Sequence, residues 1–381
     1  MDTSGTRRPT SEQLLGLGHM KRPQTWVLLD DRPGHQTQAL GLADRLGWAY
    51  ERRSLRFNGL NRIPNGILGA RAFTLDKAKS DSLAPPYPDL VITMGRRCVP
   101  IARWIRRASH QTTQLVHLGR KGLVAPSEFM LLISCAHFNL PPHPKRMAVT
   151  LPPTQVTVQR LAAARSEWSG LLSGAAGPHV MFLVGGETAH HFFTPSRAID
   201  LLQRAESAAR DLGGTLTVVT SRRTSAATIA AMRNAARQAV FHIWEPGEAK
   251  NPYLGYLAWA DVLIVTGESE SMLAEAAATA KPLYVVPLQP KPLTVKSKVK
   301  RWMTSVASGQ GQLASICRGL FNTGWITPYR DLEKMHKVMY ETHLARPFGI
   351  KLSLETPQQN NALEEVNERL HHLLDPKGTG S

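Results

Sequence analysis

Cysteine is scarce in this chain. Cys98, Cys135 and Cys317 form an odd, widely spaced trio without a CxxC pair, which speaks against a disulfide framework or a structural zinc site and for a reducing compartment. Long apolar runs are missing too. None approaches the ~20 residues of a spanning helix, and hydrophobic and charged contents of 42% and 20% are those of a globular chain. In residues 1–22, Arg7, Arg8, Lys21 and Arg22 accompany only one short apolar stretch, Leu14 to Leu17, so a disordered arm is expected there; its arginines leave an organelle-targeting reading open, Asp2 and Glu12 count against it, and the expected location is cytoplasmic. Acidic residues are the most telling shortage. With 29 of them against 46 Lys and Arg, the formal charge is +17, which implies an anionic partner: nucleic acid, acidic lipid or a phosphorylated small molecule.

Several chemical signatures are also absent. Neither GxGxxG nor GxxxxGK[ST] occurs, which disfavours hydride transfer on a dinucleotide and P-loop hydrolysis, and HExxH and GxSxG are missing as well. No recognition helix, RNA-binding or zinc-finger pattern accompanies the basic clusters at Arg52 to Arg62, Arg96 to Arg107 and Lys291 to Arg301, so no nucleic-acid partner is expected. His190-His191 are adjacent, which suits no metal pair, and Asp30-Asp31 read as one core-side and one cleft-side acid. No metal site is expected.

What is present is alternation. Apolar runs rich in β-branched residues stop at polar loops that open helices, in both halves of the chain. Strands are expected at Trp26 to Asp30, Tyr50 to Phe57, Asp89 to Thr93, Leu115 to Leu118 and Phe129 to Ser134, with helices at Gln38 to Leu46 and Val99 to Ala108. The segment Phe57 to Lys79 mixes apolar and basic residues, as an amphipathic helix on a core or on anionic headgroups would. The proline-rich residues 139–153 are expected to lead out of the first domain. After a helix at Val156 to Leu172 and a flexible break at Ser173 to Pro178, strands His179 to Val184, Leu216 to Val219 and Phe241 to Trp244 alternate with helices Ser196 to Leu212 and Ala226 to Gln238. Helices return at Leu332 to His343 and Ala362 to Leu374, and Pro376 to Ser381 is expected to be a disordered tail. The pattern gives an α/β chain of two doubly wound domains facing each other.

The most complete unit is Asn251 to Leu288: strand Ala260 to Val265, loop Thr266 to Ser271, helix Met272 to Thr279, then Lys281-Pro282 and strand Leu283 to Val286. Ligands of open parallel sheets gather beyond the carboxyl ends of the strands, where helix starts attract phosphate. Ser271 and Glu275 are four apart, about 6 Å along a helix, which suits a phosphate followed by a ribose diol; a capping serine and an ion-paired glutamate would give the same pattern. Gly185-Gly186 and Thr220 to Ser225 also follow strands, and glycine amides with Ser221, Arg222 and Arg223 could grip the same anion. His35, after Gly34 near the end of the first strand, reads either as a general base or as a helix cap.

Asp30 to His35 with Gln38 and Gly41-Leu42-Ala43, Gly95-Arg96-Arg97, Thr220 to Thr224, Asn251-Pro252-Tyr253 with Gly255 to Ala258, and Ser269 to Glu275 together resemble the plant mitochondrial-fission "elongated mitochondria" family and its bacterial relatives. Those relatives are classed with glycosyltransferases of the GT-B type. More distantly, Gly34-His35, Gly185-Gly186 and the spacing of Glu275 to Pro282 are similar to the peptidoglycan enzyme that adds N-acetylglucosamine to a lipid-linked acceptor. The comparison puts Gly34-His35 at the acceptor, Gly185-Gly186 at the donor diphosphate and Glu275 at the donor ribose. Three departures stand out: Glu268 where an aspartate is expected, Ala280 in place of glycine, and Cys135-Ala136-His137 without the relatives' Pro-Glu-His-Asp run.

The resemblance implies a GT-B fold of two Rossmann-like domains facing a central cleft. The expected units are a disordered arm (1–22), an acceptor domain (23–153), a nucleotide-sugar donor domain (154–330) and C-terminal helices with a tail (331–381). The expected function is transfer of a hexosyl or N-acetylhexosaminyl group from a nucleotide-diphosphate donor to a lipid-linked or envelope glycan acceptor. It would need neither metal nor cofactor and would work at the cytoplasmic face of an anionic membrane. His35, or else Asp31, is the expected base, with Arg222 on the leaving group. Gly185, Gly186, Ser221, Arg222, Arg223, Ser269, Ser271 and Glu275 are expected around the donor. The competing expectation is a non-catalytic adaptor that recruits a partner protein to a membrane.

Overall fold

A computed structural model describes residues 22–119, 126–172, 174, 177–247, 250–322, 326–356 and 362–374. The expectations for the N-terminal arm (apart from Arg22), for part of the Ser173 to Pro178 break and for the tail lie outside them.

The first domain runs β1 (Thr25–Leu29), α1 (Pro33–Leu46), β2 (Tyr50–Ser54), α2 (Asn65–Leu68), β3 (Leu90–Met94), α3 (Val99–Ala108), β4 (Gln114–Leu118), β5 (Leu131–Cys135) and β6 (Arg146–Val149). Its six strands are parallel, in the order β2-β1-β3-β4-β5-β6. β1 and β3 to β5 are nearly continuous apolar runs because both faces are covered, by the core around α1 on one side and the core around α3 on the other.

The second domain follows with α4 (Val158–Glu167), β7 (His179–Val184), α5 (Pro195–Asp211), β8 (Thr215–Thr220), α6 (Ala226–Ala235), β9 (Val240–His242), α7 (Tyr253–Trp259), β10 (Val262–Thr266), α8 (Glu270–Ala277) and β11 (Leu283–Val286). It continues through α9 (Val295–Ala307), α10 (Gln312–Asn322), α11 (Leu332–Glu341) and β12 (Arg346–Pro347). Its sheet is also six parallel strands, ordered β12-β11-β10-β7-β8-β9. The last helix, α12 (Ala362–Leu374), returns to the first domain: Val366 and Leu370 are buried in its α1-side core, and the Asn367 amide donates to the Arg45 carbonyl. The residues after 331 are therefore divided between the two domains.

Four details differ from the sequence reading. Helix α1 begins at Pro33, whose fixed φ suits a first helical position, so Gly34 and His35 belong to its first turn. Phe57 to Lys79 is not an amphipathic helix: its only helical pieces are a 3-10 turn at Gly59–Arg62 and α2, and Phe57 pairs with Leu75 in an antiparallel bridge. Residues 139–153 contain a sixth strand, β6, before the chain crosses between domains. At the crossing the Thr154 backbone passes so close to α1 that a Cβ on Gly41 would lie 2.5 Å from it. Finally, residues 289–322, read only as basic, hold the helical hairpin α9–α10.

Candidate functional site

Each sheet reverses its strand order once, between β1 and β3 in the first and between β7 and β10 in the second. Such reversals open a crevice beyond the carboxyl ends of the strands. In the first domain the crevice holds Asp30, His35 and Gly95. Asp30 is buried, and its Oδ2 lies 2.9 Å from Nδ1 of His35, while Oδ1 accepts the Arg32 N–H at 3.1 Å. A carboxylate only accepts, so Nδ1 carries a proton, and it is Nε2 that holds the lone pair whenever the ring is neutral. No side chain caps α1 at its N-cap residue, Arg32, so the capping role does not fall to His35. Gly95 has φ +79°, and a Cβ there would fall 2.5 Å from the imidazole, so this glycine makes the room in which His35 lies. Beneath, His117 is fully buried with neither ring nitrogen hydrogen-bonded; desolvation, and then the nearness of His35, push its pKa down to about 3.

His35 opens onto an interdomain cavity of about 820 Å³. Among the described residues Arg32, Arg62, Arg96, Arg97 and Arg330 line it against only Asp31 and Glu270, so this lining is strongly cationic. Not all of that charge is free. Arg97 pairs with the exposed Asp31 at 2.5 Å, and Arg96 donates to the Ile63 carbonyl at 2.7 Å and to that of Asn61, pinning the Gly59–Arg62 turn to the cleft wall.

In the second domain the loops after β7, β8 and β10 lie side by side, as their strands do. The crevice between β7 and β10 is filled from within. Gly185 donates its N–H to Thr266 Oγ1 at 2.8 Å, and Gly186 donates to Glu268 Oε1 at 3.0 Å. A Cβ on Gly185 would strike the Glu268 carboxylate, and one on Gly186 would sit 2.0 Å from the Arg223 carbonyl oxygen. Both amides expected to cradle a diphosphate are thus already bonded, and the glycines are there because a side chain and a backbone oxygen crowd them. Burial pushes the Glu268 pKa up, against the pull of the Gly186 amide and Arg223. The longer glutamate in place of the expected aspartate is the acid that occupies this crevice.

Ser269 is the N-cap of α8, its Oγ accepting from Met272 N–H. Ser271 is therefore not the cap: it lines the main cavity, with its Oγ 3.5 Å from where a Cβ on Gly34 would stand. A second cavity, of about 330 Å³, shares Glu270, Ser271 and Arg330 with the first and adds Ser269, Arg223 and His191. Arg222 faces away from it, into a third space of about 170 Å³ walled by Ser221, His242, Trp244, Tyr253 and Met272. Glu275 reaches this side of α8, accepting the Tyr253 hydroxyl at 2.9 Å. Desolvation raises its pKa to about 7, although that hydrogen bond pulls the other way.

One cluster ties the domains together. His137, after β5, bonds through Nε2 to the Glu270 carboxylate, which also meets Arg330 Nε at 2.6 Å. Desolvation opposes ionisation of Glu270, but the bonds from His137 and Arg330 outweigh it and hold its pKa below the usual carboxylate range. The Asp331 N–H donates to the His137 carbonyl at 3.0 Å, and Lys334 Nζ to Asn139 Oδ1 at 2.7 Å. Asp30, His137, Glu270, Arg330 and Tyr253 were missed as site residues by the sequence reading. Asp30, Tyr253, His137 and Glu270 all stand inside stretches already singled out, but the pairing of His137 with Glu270 spans 133 positions and leaves no local signal.

Two doubly wound parallel sheets whose switch points open on one cleft, with the last helix returned to the first domain, make a protein of the GT-B fold. The sequence model of the mitochondrial fission ELM1 family matches residues 33–312, and the chain belongs to that family. An uncharacterized protein of Rickettsia prowazekii is 24% identical over 293 residues, covering 68% of this chain and 82% of its own. The Arabidopsis thaliana mitochondrial fission protein ELM1 is 51% identical over 45 residues, which is 12% of this chain and 10% of that protein. Among solved structures, MurG of Acinetobacter baumannii aligns with 92% of this chain and 99% of its own at a TM-score of 0.38 and 15% identity.

Proposed function

We propose that this protein is a glycosyltransferase that takes its sugar from a nucleoside-diphosphate donor. The observation that carries the reading is the Asp30–His35 pair at the wall of the interdomain cavity, its free Nε2 on the acceptor side and α8 opposite. In the proposed step, Nε2 takes the proton of an acceptor hydroxyl as the hydroxyl oxygen bonds to the anomeric carbon, and the bond from that carbon to the diphosphate oxygen breaks. The nucleoside would lie at the space beside Ser221 and Arg222, and the Glu275 carboxylate, bonded to Tyr253 of its wall, would accept from the ribose diol. With the Gly185 and Gly186 amides engaged, the leaving diphosphate falls to Arg223, Arg330 and Ser271 around the 330 Å³ cavity, where cations stabilise charge as it develops. The chemistry as drawn needs no metal ion. The acceptor is a lipid-linked or envelope glycan.

One observation favours the adaptor reading: the same engaged amides remove donors that a diphosphate would use. A thermal-shift panel of nucleoside diphosphates, followed by turnover of the nucleotide-sugar that stabilises most, separates the two. A glycosyltransferase melts higher with one nucleotide and loses turnover in His35→Ala; an adaptor responds to none.

A further inference from the structure

The hairpin α9–α10 carries apolar side chains on a face that the described residues leave exposed. Its own core is small: Met303 on α9 and Cys317 and Phe321 on α10 are buried between the helices. Val295, Val299 and Trp302 stand at i, i+4 and i+7 on α9, and Leu313, Ile316 and Leu320 at i, i+3 and i+7 on α10, yet Val295 is 78% exposed, Trp302 56% and Ile316 58%. Each helix therefore has two apolar stripes, one buried in the small core between the helices and one whose side chains stand exposed among the described residues. At about 100° per residue the exposed stripe precedes the buried one by roughly 80° on α9 and 90° on α10. Because the two helices of a short-looped hairpin run antiparallel, equal offsets of the same sign bring both exposed stripes out on one side. Thr304, whose Oγ1 accepts the Tyr329 N–H at 2.8 Å, marks the opposite side, against the domain. The six apolar residues form a single outward face.

Its charge is equally one-sided. No Asp or Glu occurs between Glu275 and Asp331, whereas the hairpin carries Lys296, Lys298, Lys300, Arg301 and Arg318. Arg318 is used internally, donating to the Ala307 and Gly309 carbonyls at 2.9 Å, and Lys300 donates to Thr327 at 3.0 Å. Lys296 and Lys298 stand next to the Val295 and Val299 stripe.

We propose that this hairpin is a docking surface for an anionic lipid bilayer, with its apolar face at the boundary of headgroups and acyl chains and its lysines on acidic headgroups. An apolar helix face that includes tryptophan, bordered by lysine with no acid on the hairpin, has the chemistry of an interfacial helix. Protein–protein interfaces, by contrast, are depleted in lysine. The segment expected from sequence to do this, Phe57 to Lys79, exposes Leu60, Ile67 and Phe73 on irregular backbone, and its Lys79 is paired with Asp76. The hairpin also leads into the cleft: the chain after it runs through Tyr329 to Arg330. The proposal stands whether or not the cleft transfers a sugar.

Flotation of the full chain with vesicles of phosphatidylcholine alone, and of phosphatidylcholine mixed with phosphatidylserine, tests it. Binding is expected on the acidic vesicles only and should fall as salt rises. Trp302→Ser with Ile316→Ser, and separately Lys296→Glu with Lys298→Glu, should each weaken it by about tenfold or more, while Leu60→Ser with Ile67→Ser leaves it unchanged. All these side chains except Lys296 and Lys298 are among the exposed apolar residues, and the charge pair guards against a loss caused by misfolding. Equal binding to neutral vesicles would overturn the proposal, as would full binding by both hairpin variants. A dimer in sedimentation that Trp302→Ser with Ile316→Ser dissociates, without vesicle binding by the parent chain, would overturn it in favour of a second copy.

Discussion

The two switch points of this molecule are built on the same topology and arrive at opposite states. Between β1 and β3 a glycine, Gly95, leaves space that a histidine occupies, and that histidine keeps one nitrogen for the cleft. Between β7 and β10 two glycines leave space that Glu268 and the Arg223 backbone occupy, and neither the Gly185 nor the Gly186 amide N–H is left to offer a ligand. A glycine beyond a strand end thus reports that something comes close to the backbone. It does not say whether the visitor is a ligand or the protein itself. In the first domain the outcome is an oriented imidazole beside a cationic cavity; in the second, the backbone amides are engaged and side chains on α8 and after β8 line the cavity instead.

The contrast is broken most directly at His35. If the open switch point is catalytic, His35→Ala should lower sugar transfer by about 10²- to 10⁴-fold with nucleotide affinity unchanged and the chain still folded, although the buried Asp30 oxygen left without its partner should cost about 1 to 3 kcal/mol of stability. Asp30→Asn should fall in between and shift the pH–rate profile, since it disturbs the proton on Nδ1 without removing the ring. Transfer at the parent rate by a folded His35→Ala protein would make the two switch points equally silent.

The closed switch point is tested by Gly186→Ala. A Cβ 2.0 Å from the Arg223 carbonyl oxygen forces backbone to move, and overpacking of this kind costs about 1 to 3 kcal/mol, measurable as a lower urea midpoint at constant m-value. A variant as stable as the parent would mean that the loop is loose enough to release its amides to an anion, and the comparison would then lose its sharpest edge.

Glu275 sharpens the donor side through pH. Its folded pKa of about 7 lies above its ordinary value because burial disfavours the charge, and an unfolded glutamate titrates near ~4.3. The folded state therefore binds more protons between those values. The stability that this neutral carboxyl contributes is fully present below about pH 4.3 and is lost as pH rises through about 7, a change on the order of 3 kcal/mol. Glu275→Gln should flatten that slope in denaturant titrations and weaken nucleotide binding by about 1 to 3 kcal/mol. The parent's nucleotide affinity should rise with pH up to about 7, because the carboxylate is the better acceptor for a diol. A nucleotide affinity independent of pH would detach Glu275 from the ribose.

How much of this was legible depended on range. Apolar runs bounded by polar loops located most strands, and His179–Val184, Leu283–Val286, Val99–Ala108 and Ala362–Leu374 came out at their observed limits, since both-face burial and caps are local. The hairpin α9–α10 escaped because its lysines and its second apolar stripe blur a single helical period. The irregular Phe57 to Lys79 segment went the other way: it has the composition of an amphipathic helix, but Arg96, more than 30 positions away, holds it as a turn. Candidate residues at strand ends were found singly. Which of them meet was not readable, because the acids that orient or fill, Asp30 and Glu268, act through side-chain reach, and Arg222 and Arg223, adjacent in sequence, face different cavities.

Ala280 offers the smallest effect and tests the frame that holds Glu275 and Ser271 in place. It has φ +56°, a left-handed conformation, just past the end of α8, where its N–H donates to the Ala277 carbonyl at 3.1 Å. The next residue, Lys281, turns its Nζ onto the Leu257 and Ala258 carbonyls at 2.9 and 2.7 Å, its pKa lowered to about 8 by burial. The chain is thus held in this turn from both sides, and an alanine there bears a steric cost of about 1 to 2 kcal/mol that glycine does not. Ala280→Gly recovers most of that cost but makes the unfolded chain more flexible by about 0.4 to 1 kcal/mol, leaving a net gain of roughly 0.5 to 1 kcal/mol. Calorimetry should show a melting temperature higher by a degree or two with nucleotide affinity unchanged. A lower melting temperature would mean that the turn relaxes out of the left-handed region, so that Lys281 alone positions β11 behind the donor side of the cleft.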